Sequence, residues 1–422
     1  MRNGIKLRFR DEEGGEYPQW QEVRLGEAFV FLSHNGFARK YLDYSGEVMN
    51  LHYGDILTRY PSVLDIDSWQ EFIPRIQDQY RHKIKTAFLQ DGDVAMADAA
   101  EDYAVGQCTE ICNVKHKVVA GMHIHALRPA LPFASGFLGY YFNSSSFHDQ
   151  LLPYVTFSKV YSIIKSNLSK VTVLYPTVSE QRQIAALFTA LDRHLEAARD
   201  QLEVLKRLKQ GLLERVFSRK LRFCDEEGRE YPQWTDYKIA DFATLFAGAT
   251  PSTKNPEYWD DGNIPWMSSG EINNLYITVT AKKITRKGFE SSGTHMVKPG
   301  TVLIALAGQG STRGKVAITE IELCTNQSLA SISVGYGIDS KYLFCYLQTQ
   351  YDNLRRLSSG DGGRGGLTLK LINTVTVPVP SLPEQRQIAV LFTALDRHLE
   401  AARDQLEVLK RLKQGLLERV LG

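Results

Sequence analysis

The sequence predicts an α+β chain in which two mixed α+β domains are separated by two long antiparallel helices. The helices form a coiled-coil-like spacer, and the whole has a pseudo-two-fold cyclic arrangement. Three observations predict this. Residues 180–216, opening Glu180-Gln181-Arg182-Gln183-Ile184, recur at 384–420 with an offset of 204, and the single difference is Ala186 against Val390. Residues Arg8–Trp20 (RFRDEEGGEYPQW) recur as Arg222–Trp234 (RFCDEEGREYPQW) with an offset of 214. Between these repeats lie two segments of little mutual identity, about 18–176 and 232–380. A fixed long-period repeat sets the architecture before any local reading. At 422 residues the chain also exceeds one ordinary domain and suits two or three.

The segment 1–17 is expected to complete the cyclic repeat, because Lys6-Leu7 matches Lys220-Leu221, the residues that follow the first long helix. The N-terminal segment thus reads like a continuation of the second helix. Residues 18–176 form the first domain, with a strand-like run at Val171–Leu174 and a turn at Asp91-Gly92-Asp93. A proline-marked passage, Tyr175-Pro176-Thr177, opens the central helix segment 177–221, with Ser179 before Glu180 as its start signal. Residues 222–380 form the second domain, opened by the repeated segment 222–234. It carries strand-like runs at Thr301–Leu306 and Thr374–Val377 and a helical stretch at Ser340–Leu354. Val379-Pro380-Ser381-Leu382-Pro383 leads into the C-terminal helix segment 381–422.

Apolar residues in the first repeat fall at Ile184, Phe188, Leu191, Leu195, Ala198, Leu202, Leu205, Leu212 and Val216. Steps of four and three place them in one stripe. The second copy repeats it at Ile388, Phe392, Leu395, Leu399, Leu406, Leu409, Leu416 and Val420. Each helix is roughly 50 Å long at 1.5 Å per residue. Each stripe is narrow, so the two helices are expected to bury them against one another. Lys209 and Lys413 interrupt the stripes at seam positions, a cost in stability that disfavours other registers. The outward face alternates charge, from Arg182 through Asp192, Arg193 and Glu196 to Lys206 and Arg207. Such a face is ordinarily solvated, yet its duplication offers two like surfaces to two copies of one partner.

Composition restricts the functional classes. Hydrophobic content of 43% and charged content of 23% describe a globular chain with a sizeable core. The longest apolar runs fall far short of the ~20 residues of a membrane span. Met1–Lys6 carries no signal-type apolar stretch, so a cytoplasmic location is expected, in keeping with five scattered cysteines. Net charge is +2, and the variable segments hold 14 Lys+Arg against 16 Asp+Glu (18–176) and 14 against 12 (232–380). No domain-wide basic footprint for nucleic acid exists.

Enzymatic motifs fail. Gly308–Val316 approaches a phosphate loop, but Gln309 stands where the first glycine belongs and Val316 where a hydroxyl should bind magnesium. Its glycines suit either a surface turn or a loop facing a ligand. Cys108, Cys112 and His116 are spaced by four, as on one helix face, but lack a fourth metal ligand. His123 and His125 flank Ile124 in a strand-like run, and no Glu-x-Lys of a nuclease site occurs.

The string Leu382-Pro383-Glu384-Gln385-Arg386-Gln387-Ile388, preceded by Val377-Pro378-Val379-Pro380 and opening a long helix, resembles the specificity subunits of type I restriction–modification enzymes. The first copy departs, with Thr177-Val178-Ser179 before Glu180-Gln181. The second variable segment matches at Gly248–Ser252, Tyr258-Trp259, Ile264–Ile272 and Thr325-Asn326-Gln327. The first is similar to another branch at Leu42–Gly46 and Gly54-Asp55-Ile56. The resemblance covers essentially the whole chain. It implies a non-catalytic subunit whose two variable segments are target-recognition domains, each reading one half of a bipartite double-stranded DNA target. The helices then set the gap between halves and dock two modification subunits that methylate adenine at N6. S-adenosylmethionine, ATP and magnesium belong to those modification subunits and to the restriction (translocase/nuclease) subunits, and no membrane is involved. The chain itself has no Pro-Pro dipeptide of an amino-methyltransferase loop.

Base edges are read by Arg, Lys, Asn and Gln, while phosphate contacts fix position. The DNA-binding candidates in the first domain are Asn35, Arg39, Lys40, Tyr41, Lys115 and Lys159. In the second they are Lys254, Trp266, Ser268, Ser269, Gln309, Ser311, Arg313, Asn326, Gln327 and Arg364, the last in the glycine-rich loop Gly360–Gly366. Trp266 equally suits a core position. The rival reading is a non-catalytic coiled-coil scaffold presenting two interaction domains to protein partners.

Overall fold

The structure, a computed structural model, describes residues 7–308, 311–358 and 366–422. It divides into two compact units: residues up to Arg199 with Asp404–Gly422 form the first, and Asp200–Arg403 the second. Each unit therefore owns a globular domain, one half of one long helix and the opposite half of the other.

In the first unit the strands are β1 (Gln21–Arg24), β2 (Phe29–Leu32), β3 (Leu42–Asp43), β4 (Val48–Leu51), β5 (Val63–Asp65) and β6 (Arg75–Ile76). They continue with β7 (Val94–Ala97), β8 (Cys108–Cys112), β9 (Val118–Ala120), β10 (Ile124–Pro129) and β11 (Thr172–Tyr175). A five-stranded sheet has the order β2-β10-β7-β8-β5, with only its β5–β8 pair parallel, and a four-stranded sheet has the order β9-β4-β6-β3. The run Val94-Ala95-Met96-Ala97 is buried throughout because the strand has a core on each side. Val94 and Met96 enter one apolar cluster, Ala95 and Ala97 the other, as the two-residue period of a strand requires. The helix α1 (Phe137–Phe142), wholly buried, joins the first cluster.

After the long helix α2 (Val178–Phe217), the second unit repeats this plan with different residues. Its strands are β12 (Thr235–Lys238), β13 (Ala243–Ala247), β14 (Ile264–Met267), β15 (Tyr276–Ile277) and β16 (Lys282–Ile284), then helix α3 (Arg286–Ser291). There follow β17 (Met296–Val297), β18 (Val302–Ala305), β19 (Val316–Thr319), β20 (Leu323–Thr325), β21 (Leu329–Val334), helix α4 (Ser340–Thr349) and β22 (Thr376–Val379). Helix α5 (Leu382–Val420) closes the chain. The five-stranded sheet is β13-β21-β18-β19-β15, and the four-stranded sheet is β16-β14-β20-β17. Ranked by chain order, both large sheets read first, fifth, third, fourth, second. The run Val302-Leu303-Ile304-Ala305 again splits alternately between two cores.

Both long helices start earlier than their glutamates. α2 begins at Val178 rather than Glu180, because Thr177 caps it: its hydroxyl accepts from the Glu180 amide at 3.4 Å, and its carbonyl from the Gln181 amide at 2.9 Å. In α5 the Gln385 amide donates to Ser381 O at 3.0 Å, and the helix begins at Leu382. The stripe lies inward. Ile184, Phe188, Ile388 and Phe392 are fully buried, and Leu191, Leu195, Leu202, Leu399 and Leu406 are buried, while Leu205, Leu212, Leu395, Leu409 and Leu416 are half-buried.

Within the first unit, Val420 and Leu421 pack with Ile184 and Phe188 while Lys413 reaches Asp192, so the two helix halves run antiparallel. Within the second, Phe217 stacks on Phe392 at 6.2 Å while Lys209 reaches Asp396, with the same result. The Leu7 amide donates to Arg419 O at 2.9 Å, just as the Leu221 amide donates to Arg215 O at 2.9 Å. The N-terminal segment thus stands against the end of α5 as residues 218–221 stand against the end of α2.

Two local expectations change. The stretch 340–354 is not one helix but α4 followed by a second at Tyr351–Leu357, with Gln350 between them outside helical geometry. Cys108 and Cys112 lie on strand β8, where a spacing of four carries no helix-face meaning. No helix among the described residues is long and apolar enough to cross a membrane.

Candidate nucleic-acid interface

The helix starts form buried polar joints. Glu180 is fully buried and accepts from Arg8 Nε at 3.1 Å and Nη2 at 2.6 Å. Gln181, also buried, accepts from the Ala134 amide at 2.8 Å and donates to Pro176 O at 2.8 Å. In the second unit Glu384 accepts from Arg222 Nε and Nη2 at 2.8 and 2.9 Å and from Trp234 Nε1 at 3.0 Å. Gln385 accepts from the Asp339 amide at 2.8 Å and donates to Gly337 O and Pro380 O. The duplicated Glu-Gln pair therefore satisfies the chain where strand, framing repeat and helix meet, in line with buried polar groups needing partners. Antiparallel pairs β1–β11 and β12–β22 bring the framing repeats to these joints.

Seam lysines are paired as well. Lys209 Nζ donates to Asp396 Oδ1 and Gln348 Oε1, and Asp396 also accepts from Tyr276 at 3.0 Å. Lys413 Nζ donates to Asp192, which accepts from Tyr140 at 2.9 Å. Neither aspartate could be picked from the apolar pattern, since both sit beside the stripe.

The candidate base readers are scattered in role. Asn35 is buried, its amide tied to Asn50 at 2.7 Å, Ala120 O at 2.8 Å and the Phe37 amide at 3.0 Å. Trp266 is buried too, with Nε1 donating to Ala249 O at 3.0 Å. Both are committed to the interior. Arg39 straddles the buried Asp55 at 3.1 and 3.3 Å, Lys115 pairs with Asp67 at 2.8 Å, and Lys159 and Lys254 are exposed. Ser268 bonds Glu271 at the turn that Ser269 begins. Asn326 closes its own turn onto the Ser328 amide, and exposed Gln327 accepts from Thr250 at 2.6 Å. Exposed Ser311 offers its carbonyl to Tyr351, and half-buried Arg313 offers its carbonyl to Arg355. The turn there leads into β19 rather than a helix, so a phosphate loop's helix N-terminus is missing. Gln309 and Arg364 lie outside the described residues.

Two basic segments escaped the sequence reading. Strand β6 and the helical turn Asp78–Lys83 after it carry Arg75, Arg81 and Lys83, followed by Lys85. Lys40 Nζ lies 5.0 Å over the Tyr41 ring and Lys83 Nζ 5.2 Å over Tyr80, and those rings meet edge to face at 5.0 Å. A cavity of ≈ 700 Å³ opens here, lined by Tyr41, Tyr80, Lys83 and Lys85 among others. In the second unit strand β16 and helix α3 carry Lys282, Lys283, Arg286 and Lys287. Lys282 Nζ lies 5.5 Å over the Trp259 ring, which meets Trp266 edge to face at 5.0 Å. The signal was available as local charge runs, hidden by the neutral domain totals.

Comparison with known proteins agrees with this architecture. Residues 232–411 match the family model of the type I restriction modification DNA specificity domain. The MjaIX specificity subunit of Methanocaldococcus jannaschii is 32% identical over 45% of this chain and 44% of its own length. The chain thus spans less than half of that relative. A putative MjaX specificity subunit of the same organism is 22% identical over 98% of this chain and 95% of its own. The crystal structure of a type I S subunit from M. genitalium shares the fold, with a TM-score of 0.61, 15% identity and 99% of both chains covered. The class that these similarities define is one of fold and domain: residues 232–411 are similar to the type I specificity domain, and the chain shares the fold of a solved S subunit.

Proposed function

We propose that the chain reads a bipartite double-stranded DNA target, one half through each unit, while the paired helices set the gap between the halves. The observation that carries this is the recurrence of one strand order on two dissimilar sequences, each joined to a nearly identical helix sequence. Two dissimilar surfaces on equivalent frames suit two different half-sites. The helices further dock two modification subunits that methylate adenine at N6 from S-adenosylmethionine. Restriction subunits supply ATP- and magnesium-dependent translocation and cleavage. Support for equivalent docking comes from the outward helix faces: Val204 with Leu208, and Val408 with Leu412, are exposed at identical places in the two copies.

The test is co-expression with the neighbouring methyltransferase gene and mapping of N6-methyladenine across the host genome. A split motif with a fixed gap, absent without this chain, is expected. An assembled complex that adds no methylation rejects the reading.

A further inference from the structure

We propose that the phosphate backbone of each half-site lies against one topologically fixed element of each unit: the segment β6 to Lys85 in the first, and β16–α3 in the second. The inference rests on the proposed DNA reading and deepens it by naming the contact element.

The two segments are equivalent by position, not by sequence. β4 pairs with parallel β9 and antiparallel β6, while β14 pairs with parallel β20 and antiparallel β16. A helical turn follows β6 as α3 follows β16. Each segment concentrates charge. Residues 75–85 hold four Lys+Arg and one acid, and residues 282–290 hold four and one. Without them the first domain would carry 10 Lys+Arg against 15 Asp+Glu, and the second 10 against 11. Two unrelated sequences thus place a quarter of their positive charge or more on the same element. A solvated face has no reason to be duplicated in this way.

The chemistry fits a polyphosphate. Lys83, Lys282 and Lys283 are exposed, and Lys83 and Lys282 sit over ring faces that hold an ammonium while leaving it donors to spare. The ion pairs nearby, Arg81 with Glu47 and Lys287 with Glu257, are solvent-exposed on both sides and so exchange readily for phosphate. Such contacts position a domain without reading sequence. Base reading then falls to other loops.

The experiment uses the assembled complex with its methyltransferase subunits and two duplexes, one carrying the motif that the wild type methylates and one scrambled. Lys83→Ala/Lys85→Ala and Lys282→Ala/Lys283→Ala are titrated from about 50 to 200 mM salt. Each is expected to lower the slope of log Kd against log salt by about 1 to 2 and to weaken both duplexes alike. The methylated motif stays unchanged, and the Lys→Arg versions restore the slope. Unchanged slopes overturn the inference while leaving the DNA reading intact. Altered half-site preference with an unchanged slope also overturns it, by showing base readers instead. A wild-type complex that binds neither duplex rejects the underlying reading and the inference with it.

Discussion

The ammonium of Lys209 lies 2.5 Å from Asp396 Oδ1, with side chains 10% and 1% exposed, in the middle of an otherwise apolar seam. Its counterpart, Lys413 with Asp192, is more open at 20% and 30%. Both aspartates also receive a tyrosine hydroxyl, but from unlike elements: Tyr276 on strand β15 and Tyr140 on helix α1. Each triad thereby ties a domain to the helix pair at a fixed register.

The difference in exposure sets unequal energies. Lys209→Ala leaves Asp396 buried and half-satisfied, and is expected to cost about 3 kcal/mol. Lys413→Ala, in a wetter pair, is expected to cost about 1 kcal/mol. Lys209→Met with Asp396→Leu should recover much of the larger loss, since burying ions is itself costly. Chemical denaturation of the full chain measures all three, and equal losses for the two single lysine variants would contradict this account.

Glu110 gives a pH dependence. Burial pushes its carboxyl up to about 7, against the pull of the Gly136 and Gly139 amides at 2.6 and 2.9 Å. The folded state therefore keeps a proton that the unfolded chain releases near the ordinary glutamate value. The stabilisation is complete below that value and is lost as pH rises through about 7, on the order of 3 kcal/mol in all. Melting the wild type and Glu110→Gln from pH 4.5 to 8 should show a steeper decline for the wild type. Parallel curves would exclude a raised Glu110.

The proposed docking on the outward helix faces has its own signature. Leu208 and Leu412 are each 47% exposed, so replacing either by Glu should leave the melting temperature unchanged. Each change should nonetheless weaken one modification subunit by about 2 kcal/mol, the scale of one buried leucine. Native mass spectrometry is expected to show complexes holding a single modification subunit for either variant. Retention of both subunits would place the docking face elsewhere.

The proposed spacer function is tested by length. Seven residues inserted near Ala197 in α2, matched near Ala401 in α5, preserve the stripe and add about 10 Å. The gap between half-sites is then expected to grow by about three base pairs, with both half-sites unchanged. Methyladenine mapping reads this directly, and a constant gap would rule out the helices as the ruler.

Much of the fold was legible because the 204-residue repeat announces both helices, and periodicity then gives their buried stripe. The shared strand order was not legible. Strands as short as Leu42–Asp43 or Tyr276–Ile277 leave no periodic trace, and the two domains match in pairing rather than in residues. Asn35 and Trp266 have the chemistry of base readers, but residue type carries no information on depth, and the fold uses their polar atoms itself. Lys209 was visible as a break in the stripe, whereas Asp396 was hidden among the charges flanking it. Glu180 and Glu384 read as helix-start residues, and their long-range partners Arg8 and Arg222 become visible only in three dimensions.

Trp20 and Trp234 occupy matching places at the two joints but different electronic surroundings. Trp234 donates its indole N–H to the Glu384 carboxylate and lies beneath the guanidinium groups of Arg219 and Arg222, whereas the Trp20 indole N–H is buried with no acceptor among the described residues. Carboxylate and guanidinium charges shift an indole's emission, so the two joints carry optical labels of different colour. Loosening of either joint can thus be followed by fluorescence, one joint at a time, once Trp69, Trp259, Trp266 and the other joint's tryptophan are replaced.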